Sequence, residues 1–257
     1  MFKWKLMLTT LPFVALMVSL ALVRDYVLHV KGVILFSEIS PFLTVVSLMI
    51  GFMLAGVLTD FKEGEKIPGE IATSLETIGD TVEVVIAINK ESDVSDFEPK
   101  FHQLVTTIDD WFLRQTGVGK CYTALDDFRE VITRMHAAAG VSYTIRCLGE
   151  VHNLRRSITR ADVIERTSFV QVGYALLDVL VISTLLLLLS ANYNTLVAEY
   201  FLITLLSLIY IYLARLIRDI DRPFMYHHRR KIPGSADVNP YPLQEYRQRL
   251  KKAGKNI

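Results

Sequence analysis

Charge is almost absent from four stretches of this 257-residue sequence, which are Leu6–Val23, Ile39–Thr59, Ser168–Ser190 and Leu196–Leu216. The third holds Asp178 alone, and the fourth holds Glu199 near its start and Arg215 near its end. Cysteine is scarce as well. Cys121 and Cys147 are the whole complement, which excludes a disulfide-stapled scaffold. A hydrophobic content of 51% excludes disorder, and its concentration in blocks near the two ends excludes the even patterning of a soluble enzyme. Catalytic and metal motifs are missing too. The six histidines are dispersed, and no spacing resembles a zinc site. Gly117-Val118-Gly119-Lys120 superficially suggests a phosphate loop, but Arg114 stands where that loop needs glycine and Cys121 where it needs Ser or Thr. The sequence implies no enzyme activity, no cofactor and no metal.

What is present fits a bilayer. A hydrocarbon core about 30 Å thick takes roughly 20 apolar residues to cross as a helix, and each of the four blocks supplies that length. The first could instead be a signal peptide, with Lys3 and Lys5 as its basic region, but its apolar run exceeds the usual roughly 7–15 residues, and a retained helix is the reading taken. Basic residues crowd the end of the chain, from Arg215, Arg218 and Arg222 to Lys255, which places that end in the cytoplasm. Four crossings then put the N-terminus and the central segment on the same side, in the cell (inner) membrane.

The expected architecture is an all-α integral membrane protein with four transmembrane helices and a helical cytoplasmic region. Its parts are residues 1–59 (helices one and two), 60–166 (cytoplasmic helices), 167–217 (helices three and four) and 218–257 (a basic tail). The central segment, residues 60–166, holds 13 Lys/Arg against 19 Asp/Glu, and the chain from Arg215 onward holds 11 against 4. The tail should therefore lie on the acidic segment or on anionic lipid headgroups. Nucleic-acid binding has no motif to support it. Within the central segment, Ile71, Leu75, Ile78, Val82 and Val85 recur at helical spacing, as do Leu104, Ile108, Trp111 and Phe112, and Ile145, Leu148, Val151, Leu154 and Ile158. Pro68 suits a bend or a new first turn, Glu91 to Pro99 reads as a loop, and Gly117-Val118-Gly119 reads as a break before a helix over Tyr122–Ala139. No alternation supports a sheet. The pairs Asp109-Asp110 and Asp126-Asp127 read as solvated helix faces.

Two groups of membrane residues carry candidate function. Gln171, Tyr174 and Asp178 lie three and four apart, so they share a face that should point into the bundle. A carboxyl there is either an ion or proton path or a hydrogen-bonded packing group. Glu199, near the outer interface, carries less weight. On the second crossing, Thr44, Leu48, Phe52, Ala55 and Thr59 form a stripe with hydroxyls at its ends and an apolar middle. Such a stripe suits a hydrophobic pore constriction, and it also suits ordinary packing, with Gly51, Ala55 and Gly56 permitting close contact.

Two local motifs add a family likeness. Gly51-Phe52-Met53-Leu54-Ala55-Gly56 runs into Asp60-Phe61-Lys62-Glu63 and is followed by Glu70-Ile71-Ala72. Arg218-Asp219-Ile220-Asp221-Arg222-Pro223-Phe224 follows the last crossing. With the two-plus-two arrangement of crossings, the chain resembles the bestrophin-like membrane proteins, in particular their bacterial branch. The resemblance implies a pentameric ion channel, a homo-oligomer in the lipid bilayer passing an inorganic ion, with the second helix lining a hydrophobic neck. By the Gly-Phe match, Phe52 would be a neck residue, with Leu48 and Thr44 one and two turns earlier. Thr44 departs from the bulky apolar type of the family. The calcium clasp of animal bestrophins is not reproduced, because Asp219 and Asp221 alternate with arginines. Selectivity is left open by the residues, with anions favoured from the family alone. A non-conducting scaffold or sensor, docking a partner on the acidic helices, is the alternative.

Overall fold

The structure is a computed structural model that describes residues 4–88, 96–113, 115–136, 140–167, 171–221, 223–224 and 237–252. It divides into two compact units, Met1–Phe61 with Thr167–Arg222, and Lys62–Arg166 with Pro223–Ile257. We describe each by itself.

The first unit holds α1 (Lys5–Tyr26), the opening half of α2 (Phe36–Ile88), α6 (Gln171–Ser190) and α7 (Leu196–Ile220). All four helices are long and apolar enough to cross a membrane. α1 packs along α7 and also touches α6, and α6 packs on α7. Met17 and Ala21 meet Ile203 in a small core covered by Leu185, Leu189, Tyr193 and Tyr200. Outward-facing positions such as Leu16, Val179 and Phe201 are apolar and exposed, which bilayer contact tolerates and water would not.

Between the helix pairs the chain does something the sequence pattern did not announce. β1 (Ile34–Leu35) pairs in parallel with β2 (Ala191–Asn192), with Ile34 opposite Ala191 and Leu35 opposite Asn192. The Val33 amide donates to the Ser190 carbonyl at 3.0 Å, extending the contact. Two-residue strands are too short to show alternation, so the expectation of no sheet is corrected by one small ladder. Gly32 makes it possible. A Cβ there would lie 2.1 Å from the Ala191 carbonyl oxygen and 2.5 Å from the Asn192 nitrogen, so a side chain has no room.

The second unit holds the remainder of α2, with α3 (Phe97–Phe112), α4 (Val118–Arg134), α5 (Val141–Arg166) and α8 (Tyr241–Lys252). Its core is the set of apolar faces read from periodicity. Ile71, Leu75, Ile78, Val82 and Val85 of α2 are buried, as are Leu104, Ile108, Trp111 and Phe112 of α3 and Leu125 and Phe128 of α4. The α2 helix continues unbroken through Pro68, so that residue starts no new helix here. Gly117 is the N-cap of α4, and the helix begins at Val118 instead of Tyr122, because Gly119 is accommodated inside its first turn. On α5 the buried face is Thr144, Cys147, Val151, Leu154 and Ile158, and Ile145 is exposed. Thr144 occupies the core position because its hydroxyl donates to the Gly140 carbonyl at 2.9 Å, which leaves no unmet polar group.

The tail ends in a helix with Leu243, Tyr246 and Leu250 buried. Arg249 clamps Glu76 at 2.8 and 3.3 Å, the Tyr246 hydroxyl donates to the Leu75 carbonyl at 3.2 Å, and Arg247 pairs with the buried Asp109. The helix Tyr241–Lys252 of the basic tail therefore lies on the acidic segment, one of the two places its charge suggested. Of the acidic pairs, Asp126-Asp127 lies on an exposed face with surface ion pairs, while Asp109 departs from the solvated reading. Asp109 is buried, Asp126 pairs with Arg155 at 2.5 Å, and Asp127 pairs with Lys100 at 3.1 Å.

Candidate functional site

The rotational setting of α2 is fixed from α7. Tyr210, nearly fully buried, donates its hydroxyl to the Leu43 carbonyl at 3.0 Å and lies 2.8 Å from the Ser47 hydroxyl. Leu43, Val46, Ile50, Met53 and Val57 are turned inward and buried. The opposite face carries all five residues of the stripe. Thr44, Leu48, Phe52, Ala55 and Thr59 are all exposed, with Leu48 at 59% and Phe52 at 69%. Thr44 and Thr59 satisfy their hydroxyls by donating back to the Ser40 and Ala55 carbonyls, at 3.1 and 2.9 Å. Nothing within 4 Å would meet a Cβ on Gly51, so no helix among the described residues makes the close approach that its position invites.

Asp178 is not where the spacing rule put it. Its side chain is half exposed and pairs with Arg218, and the Arg218 guanidinium stands 5.8 Å over the Tyr174 ring. The expectation that Asp178 points into the bundle is corrected for this chain. The physical reason is that α7 runs on past the apolar block, carrying Arg218 within reach of a carboxylate only two turns into α6. The neighbouring arginine supplies what neither expected role included, a charge partner. Gln171 opens α6, and its side chain lies outside the described residues.

The motif after the last crossing divides by position. Asp219 is exposed, and Asp221 closes α7 as its C-cap with its amide donating to the Ile217 carbonyl at 3.1 Å. Pro223 and Phe224 belong to the second unit. The Pro223 carbonyl accepts from the Val238 amide at 2.7 Å, and Phe224 is buried with its ring 6.0 Å from that of Phe112. Gly64 leaves space for it, since a Cβ there would lie 3.4 Å from the Phe224 ring. Arg222 lies outside the described residues.

The most heavily hydrogen-bonded charge in the first unit was missed from the sequence. Arg24, at the end of α1, donates to Asp25 at 2.7 Å and also bonds Glu199 and the Leu189 carbonyl. Tyr200 donates to the other Asp25 oxygen at 2.9 Å. Arg24 and Glu199 side chains are only 13% and 10% exposed, so the pair is held largely away from solvent. One signal was available. Thr195 caps α7 by accepting from the Ala198 amide, and an acid in that first turn is favoured by the helix dipole. Its partner, 175 residues earlier, could not be read from spacing.

Among the described residues no cluster of His, Cys, Asp and Glu is arranged to hold a metal ion. Burial pushes the Cys121 thiol up to about 12 and the Cys147 thiol up to about 11, with the Arg146 charge pulling the latter back slightly and Glu150 adding to it. Both are therefore poor nucleophiles at neutral pH.

Four apolar helices and a helical polar unit define a polytopic α-helical membrane protein. No family profile and no curated protein matches the chain in sequence. Solved structures do match in fold. A bacterial bestrophin homologue from Klebsiella pneumoniae superposes with a TM-score of 0.77 at 14% identity, covering 97% of this chain and 99% of that one. A second structure of that homologue, carrying one substitution, gives 0.76 at 13% identity over 96% and 99%. Another, described as a membrane protein with one substitution, gives 0.76 at 13% over 96% and 98%. The chain has the bestrophin fold, from end to end.

Proposed function

We propose that the protein is an oligomeric ion channel, a pentamer by its resemblance to bestrophins, whose pore wall is the exposed stripe of α2. The observation that carries the reading is the character of that stripe. Exposed positions on the other crossings are dominated by large apolar groups such as Leu8, Leu11, Leu16, Val179, Ile182 and Phe201, which suit lipid. On α2 the exposed face instead mixes Ser40, Thr44, Ser47, Gly51, Ala55, Gly56 and Thr59 with only a few bulky residues, Leu48 and Phe52 among them. Small residues permit close approach of helices from neighbouring copies, and hydroxyls can face water. Leu48 and Phe52, one turn apart, then form the narrow, dewetting part of the pathway.

Both ends of the chain lie in the cytoplasm in this reading, and the second unit forms the inner vestibule. The acidic central segment alone would enrich cations near the entrance, but the basic tail helix lies on it and offsets that charge, and the resemblance to bestrophins favours anions. Selectivity is set by the neck and the vestibule together, with anions the first ions to test.

Currents through purified protein in planar bilayers test the reading. Wild type should conduct, and the Leu48→Ala/Phe52→Ala pair should conduct more at every voltage. No flux in any salt from either protein would favour a non-conducting scaffold instead.

A further inference from the structure

Within the second unit, α2, α3 and α8 line a half-open cavity of about 290 Å³ that the pore reading does not use. Its size lies at the small end of ligand pockets, which run about 300–1,000 Å³. Its walls are of two kinds. Val82, Ile86, Phe97 and Phe101 give an apolar floor, and Phe97 and Phe101 stack with ring centres 5.3 Å apart. Around them stand the carboxylates Glu76, Asp80 and Glu98, with Arg249 the one cation among the described lining residues. That cation is already clamped onto Glu76.

Two further groups belong to the lining. Tyr246 has its phenol pushed well above the ordinary tyrosine range, first by burial and then by the negative charges of Glu76 and Asp80, with Arg249 opposing. His102 lines the wall with both ring nitrogens buried and without a hydrogen-bond partner, and its Nε2 stands 3.8 Å from the Glu98 carboxylate, beyond hydrogen-bond reach. An imidazole short of a donor, carboxylates in excess and aromatic faces are the complement of one chemistry. An ammonium group supplies the donor and the positive charge, and an apolar body fills the floor.

We propose that this cavity binds a small organic cation, an alkyl- or arylammonium ion with a compact apolar body. The ammonium sits between Asp80 and Glu98, and the body lies against Ile86, Phe97 and Phe101. α8 supplies Tyr246, Arg249 and Leu250 to the same wall, so occupancy ties the tail helix to α2 and α3.

Calorimetric titration of the full chain in detergent with phenethylammonium chloride tests this, with 3-phenylpropanoate and phenethyl alcohol as probes of matched shape. One saturable site per chain is expected for the amine, with the acid and the alcohol at least about tenfold weaker. Asp80→Asn/Glu98→Gln should weaken the amine about tenfold and remove its advantage over the alcohol. Ile86→Trp, at a partly exposed wall position, should abolish binding by filling the space. Three results would each overturn the proposal: no saturable heat with the amine, equal affinity for all three probes, or unchanged affinity in both variants. The measurement does not depend on ion flux, so it stands or falls apart from the pore.

Discussion

Arg24 ties α1 to the start of α7 and to the end of α6, and its removal should be costly in a way that removal of the whole pair is not. The guanidinium meets Glu199, Asp25 and the Leu189 carbonyl while almost shielded from solvent. Breaking a buried pair by deleting one partner costs about 3–5 kcal/mol, because the other charge is left desolvated without compensation. Here the stranded group is Glu199, 8% exposed, whereas Asp25 keeps its bond from Tyr200. Arg24→Met should therefore lose about 3 kcal/mol, and Glu199→Met less, about 2 kcal/mol, since Arg24 retains Asp25 and Leu189. The double variant should lose about 2 kcal/mol, less than Arg24→Met alone because no buried charge is then stranded, giving a coupling of about 2–3 kcal/mol. Reversible unfolding in mixed detergent micelles reads these values. Losses that add to within about 0.5 kcal/mol would refute the claim that the two residues act as one buried unit.

Other perturbations follow from the same coordinates. Gly32→Ala should cost about 2 kcal/mol or more, since its Cβ would collide with the Ala191 backbone, whereas Gly51→Ala, with open space around it, should leave chain stability unchanged or slightly raised. Unfolding midpoints compare the two, and a neutral Gly32→Ala would contradict the parallel pairing. Arg247→Ala leaves the buried Asp109 without that partner and should release α8, raising protease cleavage within 241–252 by about tenfold or more. Unchanged cleavage would show that burial of Leu243, Tyr246 and Leu250 holds the helix alone. The raised thiols of Cys121 and Cys147 contribute stability that is complete below pH 9, their ordinary value, and is lost as pH rises towards 11–12. By pH 10.5 the loss should reach about 2 kcal/mol per thiol, and Cys121→Ala/Cys147→Ala should flatten that alkaline decline.

The four crossings and the apolar faces of α2, α3 and α5 were legible because they rest on local composition and on a 3.6-residue period. Faces fail where one polar residue can satisfy itself, and Thr144 displaces Ile145 from the core on that account. The tail helix escaped notice because only three apolar residues, Leu243, Tyr246 and Leu250, define its face amid charge. Long-range pairings were beyond any spacing rule. Ile34 with Ala191, Arg24 with Glu199 and Asp178 with Arg218 each join residues on different elements, and only folding brings them together. Asp178 shows the cost of treating a membrane carboxyl by itself, since its fate was decided by an arginine forty residues on.

Oxidative cross-linking in native membranes reaches the central claim most directly. Cys121 and Cys147 are buried and unreactive, so an added cysteine dominates the chemistry. Phe52→Cys should yield disulfide-linked dimers of the chain under mild oxidation. Leu16→Cys, also well exposed but on the lipid-facing side of α1, should not. Linked dimers at 16 with none at 52 would place the α2 stripe away from its copies and contradict the pore.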